Sequence, residues 1–187
     1  MSRAWPVPGI YPGGTLGANA RRILAVKIAE LYSYAPIVPL PAAVEPLHDM
    51  RIAGKRLRYT LELFRVVFGD AGERQIERIK ALQEELGEIH DHDVRTGLIE
   101  AELAALVADQ TREVGSALAA AAPTDHAAIT ATALRPPADD PKRGLLALLG
   151  RQHAARRAHY DAFVALWNGY NGEGMRADLV GLTWTPD

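Results

Sequence analysis

The sequence predicts an all-α protein, a bundle of four or more long antiparallel helices with tails rich in proline and glycine. Apolar residues make up 48% of the 187 residues, enough for one hydrophobic core, and only 6% are aromatic. Apolar side chains recur at spacings of three and four in several stretches, which is the period of an amphipathic helix. No stretch shows the alternation with period two that indicates a strand.

Helix boundaries follow from proline, glycine and capping residues. We expect Asn19 to cap the first helix, and the proline-rich segment 35–46 to form a loop or strap. Gly69 and Gly72 are expected to close the second helix, and residues 123–141 to form a linker. The expected helices span residues 19–34, 46–68, 73–109 and 142–167, with a weaker helical signal over 111–122. The second helix places on one face the apolar residues Met50, Ala53, Leu57, Leu61, Phe64 and Phe68.

Composition limits the domain organisation and the class of function. We expect an extended tail over residues 1–17, a single helical domain over 18–170 and a second tail over 171–187. The absence of cysteine excludes disulfides, thiolate zinc sites and cysteine nucleophiles. No signal-peptide pattern or membrane-spanning apolar run is present, so we expect a cytoplasmic protein. The formal net charge is −2, so an anion site must arise from local clustering of basic residues.

Basic side chains cluster on the second and third predicted helices. On the second helix, a row with spacings of three, four and three lies within about 80° of arc. The third helix carries a similarly spaced row. Arginine offers a fork of donors that matches phosphate oxygens, so the two rows favour a site for a chain of phosphates. Any one of these residues alone would be explained as part of a solvated helix face. The rows are His48, Arg51, Lys55 and Arg58, and Lys80, Gln83, Gly87 and His90.

The same region closely resembles a known protein family, the CHAD domains (conserved-histidine α-helical domains). The family motif H-x-x-R-x-x-x-[KR]-R-x-R is matched by His48, Arg51, Lys55, Arg56 and Arg58. A second motif, LG-x-x-[RH]-D-x-D-V, is matched by Leu86, Gly87, His90, Asp91, Asp93 and Val94. The resemblance implies helical bundles whose basic residues line a cavity or groove that binds inorganic polyphosphate. It also implies association with polyphosphate granules in many members and no catalysis by the domain itself.

We therefore predict a polyphosphate-binding protein that uses no cofactor and no metal. The candidate ligand set joins the basic residues of both rows with cations of the neighbouring helices. It comprises His48, Arg51, Lys55, Arg56, Arg58, Lys80, His90, Arg21, Lys27, Arg156 and Arg157.

The chain departs from the family in one respect that bears on its oligomeric state. Full-length members usually contain the helical half-motif twice, whereas this chain contains it once. We expect either a one-sided groove or a homodimer that completes the site. Sedimentation as a monomer both with and without polyphosphate would rule out the homodimer.

Other functions remain open on the sequence alone. RNA or DNA is a second candidate ligand, although no aromatic residues interleave with the basic rows to stack bases. A metal-dependent phosphohydrolase is suggested by the His90–Asp93 run, but side chains at consecutive helical positions point in different directions. A structural helical adaptor is the third alternative, and it requires the basic rows to be fully paired within the fold.

Overall fold

The computed structural model describes residues 3–135, 137 and 139–184, and every regular element in these ranges is a helix. The prediction of an all-α helical bundle is confirmed. Short 3₁₀ turns at Ala35–Ile37 and Pro123–Asp125 supplement the longer helices. The α-helices are α1 (Leu16–Tyr32), α2 (Val44–Leu63), α3 (Arg65–Ala120), α4 (His126–Ala133), α5 (Pro141–Gly172) and α6 (Met175–Gly181).

The first helix begins earlier than predicted because Thr15, and not Asn19, is its N-cap. The Thr15 hydroxyl accepts a hydrogen bond from the Ala18 amide at 3.1 Å. Asn19 lies within α1, and its side chain binds the backbone of Tyr11 through both its oxygen (3.1 Å) and its nitrogen (2.8 Å). Asn19 therefore holds the N-terminal segment against the helix.

Helix α2 ends five residues earlier than predicted, although the backbone also leaves helical geometry at Gly69, where the break was expected. Helix α2 ends at Leu63, and Phe64 is its C-cap. The helical run from Arg65 is interrupted at Gly69, whose φ of 51° and ψ of −149° are accessible to glycine without steric cost. A Cβ on Gly72 would lie 2.6 Å from the Cβ of Phe68, so this turn also requires glycine for close packing.

The chain divides into two compact units, one of residues 1–91 and 156–187 and the other of residues 92–155. The core of the first unit includes Leu24 of α1, Leu57 of α2, Ile79 of α3 and Phe163 of α5, all buried. Met175 and Leu179 are also buried in it. The segment expected to be a C-terminal tail thus contains a helix that contributes to the core.

In the second unit, the predicted linker over 123–141 contains a helix of its own, α4. The Gln110 side chain of α3 donates to the backbone carbonyl of Ala133 at 3.4 Å and accepts a hydrogen bond from Lys142 of α5. Lys142 also pairs with Asp140 at 3.3 Å.

Some predictions concern parts of the chain outside the described residues, namely positions 1–2, 136, 138 and 185–187 of the expected tails and linker. The expectation of a single domain with two tails stays a prediction. Over the described ranges, no helix has the length and apolar character needed to cross a membrane.

Candidate polyanion-binding site

Helices α2 and α3 lie side by side and antiparallel, and their two rows face each other. At one end the rings of His48 and His90 are in contact, with centroids 4.1 Å apart and planes tilted by 32°. One turn further along α2, the Arg51 guanidinium lies against Gly87, where a Cβ would be 3.7 Å from Nε. Residue numbers rise along α2 as they fall along α3, so the shared spacing of three, four and three keeps the rows in register.

We call this facing pair of rows the basic seam. Continued along both helices, the register set by His48–His90, Arg51–Gly87 and Gly54–Gln83 pairs position 58 with position 80. From position 48 to position 58 the seam extends about 15 Å at the helical rise per residue. Its members are His48, Arg51, Lys55 and Arg58 of α2 and Lys80, Gln83, Gly87 and His90 of α3.

The cations of the basic seam are incompletely neutralised. Arg58 pairs with Glu62 of its own helix at 3.4 Å. Arg51, Lys55 and Lys80 have no carboxylate partner among the described residues. The exposed Glu84 and Glu88 flank the α3 row, so the positive charge is concentrated on α2. The structural-adaptor alternative required full pairing, which the described residues do not show.

Three side-chain nitrogens in the basic seam are buried without a hydrogen-bond partner among the described residues. They are Nδ1 of His48, Nε of Arg58 and Nε2 of Gln83. Buried polar atoms are normally hydrogen-bonded, and each unsatisfied one costs free energy. The seam is therefore a polar surface whose hydrogen-bonding capacity is only partly used within the fold.

The histidine pair at the end of the seam is electrostatically coupled. The pKa of His48 is lowered from its ordinary value, first by burial and then by the nearby His90 and Arg51, with Asp49 acting in the opposite direction. Burial and like charges both disfavour the imidazolium form. In the free protein, His48 consequently holds its proton less readily than an exposed histidine.

Two glycines lie where α2 and α3 are in contact. Gly87 has no side chain on the face of α3 that meets α2, and Arg51 lies against it. Gly54, which sequence reasoning did not select, lies against Gln83, where a Cβ would be only 3.3 Å from Nε2. The sequence feature that could have identified Gly54 is its position between Arg51 and Lys55 on α2.

Two candidate ligand residues, Arg56 of α2 and Lys27 of α1, lie where α1 packs against α2, away from the seam. Arg56 hydrogen-bonds Oε1 of Glu30 on α1, and Lys27 binds Oε2 of the same carboxylate at 3.0 Å. Glu30 is fully buried. Sequence reasoning missed Glu30, although its spacing of three from Lys27 is a known helix ion-pair pattern.

The remaining candidates are not brought to the seam by the described contacts. Arg157 of α5 pairs with Asp161 one turn along the same helix at 3.0 Å and lies 5.7 Å from the ring centroid of Tyr160. Arg21 of α1 and Arg156 of α5 are half-buried on helices that do not form the seam.

The histidines of the His90–Asp93 run turn towards different partners. The ring of His90 contacts that of His48, whereas Nδ1 of His92 donates a hydrogen bond to Oε1 of Gln152 at 2.6 Å. This divergence agrees with the sequence argument that neighbouring helical positions do not converge on one point.

A family model, described as CHAD domain, matches residues 6–100, just over half of the chain. The match includes α1, α2 and the part of α3 that contributes to the basic seam. The resemblance identified from the two motifs is confirmed. No curated protein and no solved structure matches the chain.

Proposed function

Because the chain belongs to the CHAD family, we propose that it binds inorganic polyphosphate along the basic seam. CHAD domains are known in general for binding polyphosphate. The observation that carries the proposal for this chain is the facing of two rows in which Arg51, Lys55 and Lys80 have no carboxylate partner among the described residues.

The shape of the seam favours an extended ligand. Its cations are distributed over about 15 Å of helix, so a single phosphate contacts one turn while a chain of phosphates contacts several. Helix backbones hold the rows in place, and little ordering is needed on binding. Facing cations repel each other in the free protein, and a bound polyanion replaces this repulsion with attraction. These arguments support a polyphosphate in preference to a mononucleotide or free phosphate.

Nucleic acid is the competing ligand. Its phosphates would satisfy the same cations, but binding of single strands usually adds aromatic side chains on which successive bases stack. Tyr59 is an exposed aromatic residue beside the seam, with the guanidinium of Arg58 4.9 Å from its ring centroid. One such ring gives a stacking position for one base, not for a series.

The first prediction is a salt-sensitive preference for polyphosphate. Calorimetry over a salt series should give an affinity for long-chain polyphosphate whose logarithm falls linearly with the logarithm of salt concentration, by counterion release. RNA and duplex DNA of matched charge, measured alongside, should bind more weakly. Equal affinity for all three polymers would contradict the proposed ligand, and absence of binding would contradict the proposed function.

The second prediction is that binding strengthens as pH falls. A polyanion beside His48 favours its charged form, whereas the pKa of His48 is lowered in the free protein. Binding should therefore take up protons between the free and the bound pKa. As pH falls through this range, affinity should rise by up to about tenfold per pH unit for each proton taken up. Affinity should be highest below the pKa of the free protein. Above the pKa of the complex, protonation should add nothing to binding.

This pH dependence can be measured by calorimetry at constant ionic strength in buffers of different ionisation enthalpy, which counts the protons taken up. The double variant His48→Gln/His90→Gln is the control, since it keeps polar side chains but cannot titrate. Identical pH profiles for the variant and the wild type would assign the effect to the polyphosphate itself.

Granule association and pairing of two chains are part of the same proposal. A polyanion bridging two seams would offset the repulsion between their like charges. We propose binding without catalysis. Release of phosphate from polyphosphate by the purified protein, with or without divalent metals, would contradict this part.

A further inference from the structure

The CHAD motif on α2 is divided between two edges of the helix. Arg51, Lys55 and Arg58 lie on the α3 edge, whereas Arg56 is rotated by about 130° from the middle of that row at 100° per residue. The buried residues Ala53, Leu57 and Leu61 lie between the two edges. Only the α3 edge of α2 therefore contributes side chains to the seam.

On the α1 edge, the two oxygens of one carboxylate are each bound by a different cation. Arg56 donates to Oε1 of Glu30, and Lys27 lies 3.0 Å from Oε2. Glu30 is 0% exposed, while the side chains of Lys27 and Arg56 are 10% and 24% exposed. A buried carboxylate is stable only when it is paired, and charge-assisted hydrogen bonds to it are strong.

We infer that Glu30 keeps Arg56 of the motif and Lys27 of α1 from binding the ligand, by pairing with both of them where α1 packs against α2, away from the seam. A phosphate chain would have to compete with a buried internal anion for these two cations, while Arg51, Lys55 and Lys80 need no such exchange. The cations that contact the ligand are then those of the seam, and Arg56 is a tether between α1 and α2. The part that concerns the ligand rests on the proposed function.

The experiment compares single charge losses at both edges. Lys27→Met and Arg56→Met each leave Glu30 with one cationic partner, and Arg51→Met is the matched loss from the seam. The slope of log affinity against log salt concentration should equal the wild-type value in Lys27→Met and Arg56→Met. In Arg51→Met its magnitude should be smaller by about one, because one phosphate contact is lost. A fall in Arg56→Met as large as that in Arg51→Met would overturn the inference.

Glu30→Gln removes the anion and keeps the shape of the side chain. It should lower Tm by about 5–10 °C without ligand, more than either cation variant, because Lys27 and Arg56 both lose their bond to this carboxylate. Measured well below its Tm, this variant should show a steeper salt slope than the wild type, since the carboxylate no longer competes with the polyanion for Arg56 and Lys27. A purely structural role for Glu30 would leave that slope unchanged, which would overturn the inference.

The two proposals fail in different ways. If the wild type binds no polyphosphate at any salt concentration, the proposed function fails, and the Tm series still decides whether Glu30 holds the two cations. A wild-type Tm for Glu30→Gln would overturn the inference whether or not the ligand binds.

Discussion

Replacing Arg51 and Lys55 together by methionine should weaken polyphosphate binding about a hundredfold at about 0.1 M salt, with little change in Tm. Each side chain carries a charge that has no carboxylate partner among the described residues. Loss of one charge-assisted contact typically costs about tenfold in affinity. Because no internal ion pair is broken, the free energy of unfolding should stay within about 0.5 kcal/mol of wild type or rise slightly as repulsion is removed.

A matched control separates the position of the charges from their number. Arg22 of α1 and Arg74 of α3 are exposed arginines outside the seam. The double variant Arg22→Met/Arg74→Met loses the same net charge. Calorimetry over a salt series should show the slope reduced by about two in the seam variant and much less in the control. Equal weakening in both variants would mean that the polyanion responds to net charge and that the seam has no special role.

The geometry of the seam could be predicted because it depends on local regularities. Spacings of three, four and three place a row on one face of any α-helix. Helix α2 and the part of α3 that follows the kink at Gly69 are joined by a short connection and are antiparallel neighbours, so rows with the same spacing come into register. The His48–His90 contact and the position of Arg51 against Gly87 follow from these two facts.

The role of Arg56 could not be predicted in the same way. The motif contains Arg56 beside Lys55 and Arg58, and sequence alone does not show which side of the apolar stripe faces which neighbour. That depends on the packing of α1 against α2, which buries Glu30 and brings it to Arg56. A glutamate on a surface helix is normally exposed, so its burial is a tertiary property.

Helix α6 and the cap of α1 were missed for a related reason. Residues 175–181 are too few to show a convincing helical period, and their burial of Met175 and Leu179 depends on the rest of the core. Thr15 and Asn19 are both good capping residues. Thr15 is the N-cap, and the side chain of Asn19 instead hydrogen-bonds the backbone of Tyr11 in the N-terminal segment.

The same features of the seam that lower the stability of the free protein are expected to raise its affinity for a polyanion. Facing cations and buried donors without partners are each unfavourable in the absence of a ligand. A ligand that binds only the folded state raises its stability by mass action, by about 2.7 kcal/mol at a hundred times the dissociation constant. We therefore expect the seam, and not the apolar core, to be the region whose substitution changes ligand-induced stabilisation.

The substitution with the largest expected effect on stability is Leu57→Ala. Leu57 is fully buried on the core face of α2, on the side of the helix away from the solvent. Truncation removes apolar contacts and leaves a cavity, so it should cost about 2–5 kcal/mol. Leu63→Ala on the same helix is the control, because Leu63 is 75% exposed and its truncation should change stability by about 0.5 kcal/mol or less.

Thermal and denaturant unfolding of these variants tests whether α2 keeps its stabilising and ligand-binding residues on separate faces. Leu57→Ala should lower Tm by roughly 5–15 °C for a chain of this size. Well below that Tm, it should keep the wild-type salt slope for polyphosphate, because no cation of the seam is lost. A loss of stability in Arg51→Met/Lys55→Met as large as that in Leu57→Ala would instead show that the arginine and lysine hold the fold. A reduced salt slope in Leu57→Ala would show that the packing of the core sets the positions of the seam cations, so that the two faces of α2 are coupled.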